Sequence, residues 1–326
     1  MYEQISANKW KSGLMMAFFF AFVVALGYII GLALGGTSHP QYALIGLGIA
    51  FAIAILMNVF SYYRSDTVAL SISGAKPLEA YMNDPSWRHI AMRFDNTVEG
   101  LAIAAGVPKP VPYIIYDPAP NAFATGRNPE HSAIAATTGL LTMMNDQELE
   151  GVVGHEMSHI KNYDILLQTM TIVLVGTVIM LSDIFLRTFW FGDHDSGGNG
   201  EAGMIMMIVA IVFAILAPII AMLIQLAIGR RREYLADANG ALLTRYPPGL
   251  ASALQKIGGD THQLRRANKA TAHMYIAQPL NRDKEKRGSR LNGLFDTHPP
   301  IEDRIRRLDQ MTGNFQEVQP GPIPAQ

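Results

Sequence analysis

Four stretches without a single charged side chain limit what this sequence can fold into. Gly13 to Gly36, Gln41 to Tyr63, Ile165 to Ser182 and Gly203 to Gly229 are built mainly from Leu, Ile, Val, Phe, Ala, Met and Gly. A helix needs about 20 such residues to cross a bilayer, so the pattern predicts four transmembrane helices. The third run is the one open to another reading. Gln168 interrupts it and Asp183 bounds it, so a buried helix of a water-soluble core would also fit. The first run is too long for the apolar core of a signal sequence and lacks a small-residue cleavage site before the second run.

Charges in the connections orient these runs. Lys9 and Lys11 precede the first, Arg64 follows the second, Lys161 precedes the third, and Arg230, Arg231 and Arg232 follow the fourth. Loops 36–41 and 188–201 carry no Lys or Arg, and Arg187 is the one dissenting cation. The positive-inside rule then places both termini and residues 64–164 in the cytoplasm. Trp10, Trp190, Tyr62 and Tyr63 fall where interfacial aromatics are favoured. The chain divides accordingly. Residues 1–63 form two membrane helices, 64–164 a first cytoplasmic part, 165–229 a membrane hairpin, 230–317 a second cytoplasmic part, and 318–326 a Pro-rich disordered tail. Both ends of the hairpin return to one membrane face, which favours a single cytoplasmic domain made from both parts.

Composition narrows the chemistry. The 326 residues carry a net charge of -1 and no basic stripe with interleaved aromatics, so no nucleic-acid partner is expected. There is no cysteine, which leaves histidine and carboxylate as the only strong metal ligands. Within the polar parts, residues 78–106 have helical periodicity up to a break at Gly106-Val107-Pro108. Segments 112–117 (PYIIYD), 121–126 (NAFATG) and 132–141 (SAIAATTGLL) read as a small antiparallel sheet. Asn145 followed by Glu148 marks a helix start, with further helices expected over 249–278 and from Ile301. The fold class is thus mainly α with a small antiparallel β-sheet and four transmembrane helices.

The helix that starts at Asn145 carries GHEMSH (154–159). His155 and His159, one turn apart, project from one face and can meet one metal ion. Glu156 lies beside the first histidine, placed to take a proton from a metal-activated water. The other reading is an amphipathic helix with two surface histidines. A catalytic zinc takes three protein ligands and keeps one open position. After the fourth run comes RRREYLADANGA, in which Glu233 and Asp237 share a helix face. Spacing alone would pair Glu233 with the adjacent arginines; the hairpin topology instead returns it beside His155.

GHEMSHIKNYD, REYLADANGA and FDTHPPIEDRIRRL, in this order and with a membrane hairpin between the first two, resemble the HtpX family of membrane zinc metalloproteases, relatives of the CAAX prenyl proteases. The resemblance covers nearly the whole chain. It implies a membrane-anchored zincin (gluzincin) domain with one zinc ion per chain, held by His155, His159 and Glu233, and Glu156 as general base. It gives Asp237 a supporting position behind a ligand. It also implies that His298 in THPP stabilises the oxyanion of the tetrahedral intermediate, where the plainer reading is a helix cap, and that Arg304 adds electrostatic support. NAFATG resembles the family's edge strand, with Asn121 and Ala124 as candidates for pairing with an extended peptide. His39, His89, His131, His194, His262 and His273 have no partner at ligand spacing and read as surface or structural residues.

The function expected is a membrane-bound zinc endopeptidase that hydrolyses membrane or misfolded proteins at the cytoplasmic face of the bacterial inner membrane. Its partners would be polypeptide substrates and the lipid bilayer, with homo-oligomerisation left open. A narrower alternative is processing of prenylated peptides. An alternative of another class is a four-span transporter, which would use Asn58, Gln168, Thr169, Thr171, Thr177 and Gln225 as mid-span polar groups.

Overall fold

The computed structural model describes residues 2–35, 39–191, 229–267, 271–277 and 299–317. The chain opens with two long helices, α1 (Tyr2–Gly35) and α2 (Gln41–Ser73). Within them Gln4–Leu32 and Gln41–Ser73 are long and apolar enough to cross a membrane, with a mean hydropathy of 2.4 each. Their outer faces stay apolar and uncovered, Leu44 at 68% and Leu56 at 67% exposure. Such faces are at home against lipid tails. The two helices approach closely because small residues face each other. A Cβ on Gly27 would sit 2.1 Å from that of Ala50, and one on Gly31 would sit 2.3 Å from the Tyr42 carbonyl. This is the small-residue packing that joins helices in lipid, where apolar burial no longer drives association.

Only these two of the four expected membrane helices meet that test among the described residues. The third run opens α7 (Asp164–Phe191). As far as Val175 its side chains are buried in the protein. Leu166, Leu167, Met170 and Leu174 pack on Met15 and Phe19 of α1. Ile172 and Val175 pack on Ile115 and Phe123 of the sheet. The hydroxyls of Thr169, Thr171 and Thr177 bond back to carbonyls four residues earlier in the same helix. The fourth run, its Gln225, most of the acidic loop and the tail lie outside the described residues.

After α2 come β1 (Ala75–Pro77), α3 (Glu79–Met82) and α4 (Arg88–Ala105), then β2 (Val111–Ile115), β3 (Ala122–Asn128) and β4 (His131–Thr137). The strand order is β1-β2-β4-β3. β3 and β4 form an antiparallel hairpin, but β4 runs parallel to β2. The sheet is therefore mixed, which corrects the antiparallel expectation. The cause lies in the linker 116–121, which carries the chain past the place β4 later fills. The Asp117 carbonyl accepts from Thr138 Oγ1 and Gly139 N, and Asn121 N donates to Thr137 Oγ1. These bonds fix the linker at the far end of β4, so β3 takes the outer position.

The run 132–141 splits between strand and helix. Thr137 caps α5 (Thr138–Met143) by accepting from Leu140 N, which ends the strand. α6 (Asp146–Lys161) starts with a capping box in which Asn145 and Glu148 satisfy each other's backbone N–H. α8 (Arg230–Thr244) and α9 (Pro247–Gly259) come next among the described residues. α9 stops at Gly258-Gly259, well short of the helix expected to residue 278, and a short 3-10 turn (Ala272–Met274) comes later. α10 (Ile301–Glu317) is the last helix described. One hydrophobic core joins the two polar parts, running from Leu78 through Leu149 and Ile165 to Ala241, Leu254 and Leu308. Each fully buried leucine in it contributes roughly 1.5–3 kcal/mol.

Candidate active site

α6 and α8 cross where both have glycine. A Cβ on Gly240 would lie 2.8 Å from His155 N, and one on Gly154 would lie 3.3 Å from the Gly240 carbonyl. This close approach sets the first turn of α8 against the α6 face that carries the histidines. The Nε2 atoms of His155 and His159 are 3.2 Å apart. Glu233 Oε2 is 3.7 Å from His155 Nε2, and Oε1 is 3.6 Å from His159 Nε2. One ligand atom from each of the three residues lies within 4.8 Å of the others, so the trio could hold a metal ion.

The back of each ring is held by a different carboxylate. His155 Nδ1 is 2.9 Å from Asp237 Oδ1, and His159 Nδ1 is 3.1 Å from Asp164 Oδ2. With the ring proton donated on that side, both Nε2 lone pairs face the shared centre, as metal binding requires. Asp164 lies at the corner between α6 and α7, where Tyr163 adopts a left-handed φ of 60°. Its Oδ1 accepts from Asn8 Nδ2 of α1 at 2.7 Å and pairs with Arg232 Nε at 3.3 Å. Asp237 receives Nε and Nη2 of Arg304 at 2.8 and 2.7 Å. Arg304, fully buried, also donates to the Ile276 carbonyl at 2.7 Å and lies 4.0 Å from Glu233 Oε2.

The charge balance suits a dication. Four buried carboxylates, Glu156, Asp164, Glu233 and Asp237, face two arginines, Arg232 and Arg304. With both imidazoles neutral, two negative charges are left over. Among the described residues, neither oxygen of Glu156 is in hydrogen-bond geometry with a partner. Burial is the main cause that pushes its carboxyl up to about 7, Glu233 adds to this, and His159, the Ala124 N–H and Arg304 oppose it. Burial alone would lower His159, but the Asp164 hydrogen bond and the charges of Glu233, Asp164 and Glu156 raise it to about 9. Burial likewise drives His155 down, assisted by the Arg304 and His159 charges against the pull of Asp237. Burial would raise Asp237, but Arg304 and His155 hold it below the usual carboxylate range.

A sequence model of peptidase family M48 matches residues 90–312, the stretch that contains every one of these groups except Asn8. The chain belongs to peptidase family M48. A protein named "Protease HtpX homolog" from Caldanaerobacter subterraneus subsp. tengcongensis is 42% identical over 96% of this chain and 98% of its own length. Proteins of the same name from Tropheryma whipplei (strain Twist) and Listeria monocytogenes serotype 4a are 43% and 42% identical, each over its whole length. A crystal structure of S. mikatae Ste24p aligns over 94% of this chain and 66% of that one, at 17% identity and a TM-score of 0.45. The resemblance to the HtpX family read from three motifs therefore extends over nearly the full length. This M48 peptidase is a membrane-bound metalloprotease.

The other residues singled out in the M48 peptidase stand as follows. His298 lies outside the described residues. β3 is last in the sheet order, yet Asn121 and Ala124 are buried, at 0% and 1% exposure. Asn121 Nδ2 donates to the Ala277 carbonyl at 2.9 Å, and Ile276 N donates to the Ala122 carbonyl at 2.9 Å. Segment 271–277 thus already covers the start of the edge expected to be open. Three participants escaped the sequence reading: Asn8, Asp164 and Arg232. Asp164 carried a signal, being the acid that ends GHEMSHIKNYD.

Proposed function

We propose that this chain is a zinc endopeptidase that takes one zinc ion on His155 Nε2, His159 Nε2 and the Glu233 carboxylate. The observation that carries this reading is the pair of imidazoles held from behind by Asp237 and Asp164, with a third donor at the same centre and the buried Glu156 next to His155 on α6. Zinc, when bound there, supplies Lewis acidity that activates water and polarises a peptide carbonyl. Glu156 then acts as general base, taking the proton of the attacking water and passing it to the leaving amine. Arg304 keeps Asp237 charged and oriented, and Asp237 orients His155. His298 is assigned oxyanion stabilisation on its motif. On β3, Ala124 is the position assigned to the substrate backbone.

Residues 64–164 and 230–317 are taken as one catalytic unit, a division supported by their common core. Residues 1–63 and 165–229 anchor it, and 318–326 form a tail. The cations on Lys9, Lys11 and Arg230 to Arg232 support a cytoplasmic site at the bacterial inner membrane, with membrane or misfolded proteins as substrates.

The test is Glu156→Gln in the full chain. The variant is expected to keep one zinc per chain by elemental analysis and to lose casein cleavage by at least about a hundredfold. Undiminished cleavage would remove Glu156 from the reaction. Zinc-free preparations with full activity would remove the metal.

A further inference from the structure

The corner between α6 and α7 also borders a cavity of about 330 Å³, separate from the metal trio. That volume is at the small end of ligand pockets, roughly 300–1,000 Å³. Its wall includes Asn8 and Lys11 of α1, Asn162 and Asp164 of the corner, and Arg231 and Arg232 of α8. Three cations thus meet one carboxylate. That carboxylate is already held by Asn8, by Arg232 and by His159, and no second acid lines the cavity among the described residues. α8 begins here, so the positive end of its dipole adds to the field. The wall therefore offers an excess of positive charge.

Its position points to the bilayer. Lys11 comes two residues before the uncharged run that starts at Gly13, and Arg231 two residues after the one that ends at Gly229. Lys11 lies at the start of the candidate span of α1, where a helix reaches the headgroup layer, Arg231 lines the same cavity, and cations there attract anionic lipid. We infer that this cavity binds a phosphate group, carried by an anionic phospholipid headgroup. Free phosphate shares the chemistry and is the other source to separate. Occupancy would bear on catalysis through Asp164, which lines the cavity with one oxygen on Arg232 and holds His159 with the other.

The test uses the full-length protein in nanodiscs of phosphatidylcholine, alone or with phosphatidylglycerol, with lipid retention read by native mass spectrometry and stability by thermal unfolding. Wild type is expected to retain phosphatidylglycerol and to unfold at higher temperature with it. The pair Lys11→Gln with Arg231→Gln should weaken retention at least about tenfold. The charge-matched pair Lys9→Gln with Arg230→Gln changes the surface equally but leaves the cavity wall intact, and should retain the lipid. Inorganic phosphate that stabilises wild type in pure phosphatidylcholine, with the effect lost in the cavity pair, would keep the phosphate site and assign it to the free ion. Equal loss in both pairs, or no response of wild type to either ligand, would overturn the site. Neither readout involves peptide cleavage, so that result would leave the peptidase assignment standing.

Discussion

His155 and His159 belong to one helix, but the groups behind them do not. Asp237 comes from α8 and Asp164 from the start of α7. Each carboxylate fixes a ring proton and a ring orientation, and groups in such positions are worth about 10- to 100-fold in metal affinity. Asp164→Asn keeps the shape and removes the charge behind His159. The expected result is a zinc affinity lower by about 10- to 100-fold, measured by competition with a chelator on the folded protein. Unchanged affinity would mean that Asp164 serves only the corner. The residue-level reading of the sequence rests on spacing, which decides by itself which side chains share a helix face. His155 with His159, and Glu233 with Asp237, are each four apart on a helix, and four apart always means one face. It did not reach Asp164, because that role depends on a left-handed residue at Tyr163, which nothing in the local sequence demands.

Among the elements, α6 is the one on which the site depends, and its N-terminus is tied to α9. Glu148 Oε2 accepts from Asn145 N at 2.9 Å and from Lys256 Nζ at 2.7 Å, while Oε1 accepts from Ser252 Oγ at 2.6 Å. Burial pushes this carboxyl up, but the hydrogen bonds from Lys256, Ser252 and Asn145 outweigh it, and it ends below the usual carboxylate range. A carboxyl depressed on folding stabilises the protein above its unfolded pKa, and that share is lost as pH falls through the folded value. Glu148→Gln is therefore expected to lower stability near neutral pH by about 1 kcal/mol, since the half-exposed Lys256 is screened by solvent. The deficit should shrink below about pH 4 in a series of unfolding curves, and a deficit constant across pH would rule out the charge. The capping box at Asn145 was legible because it is written within four residues. The order of the strands was not, since it depends on hydrogen bonds between linker 116–121 and the Thr137–Gly139 stretch. Alternation predicts strands and says nothing of their neighbours.

At the scale of the molecule, the membrane helix and the hydrolytic centre are one structure. Asn8 of α1 reaches 156 positions along the chain to Asp164 and also donates to the Asn162 carbonyl at 2.8 Å. Replacing it with alanine leaves two buried acceptors short of a donor, at about 1–3 kcal/mol each. Asn8→Ala should therefore bind zinc several-fold more weakly and unfold earlier, with the protein still recovered in the membrane fraction. Full zinc affinity in that variant would reduce α1 to an anchor. Nothing in the run Gly13 to Gly36 announces this, because the contact lies just ahead of the apolar segment and its partner is distant in sequence.

The corner at Tyr163 has a temporal side as well. Asp164 directly precedes the apolar run, and Glu233 is made only after the whole of 165–229. A chain still on the ribosome therefore holds two imidazoles and no third donor for as long as its oily segment is being synthesised. On the proposed ligand set, the metal site can close only after residues 165–229 have been made.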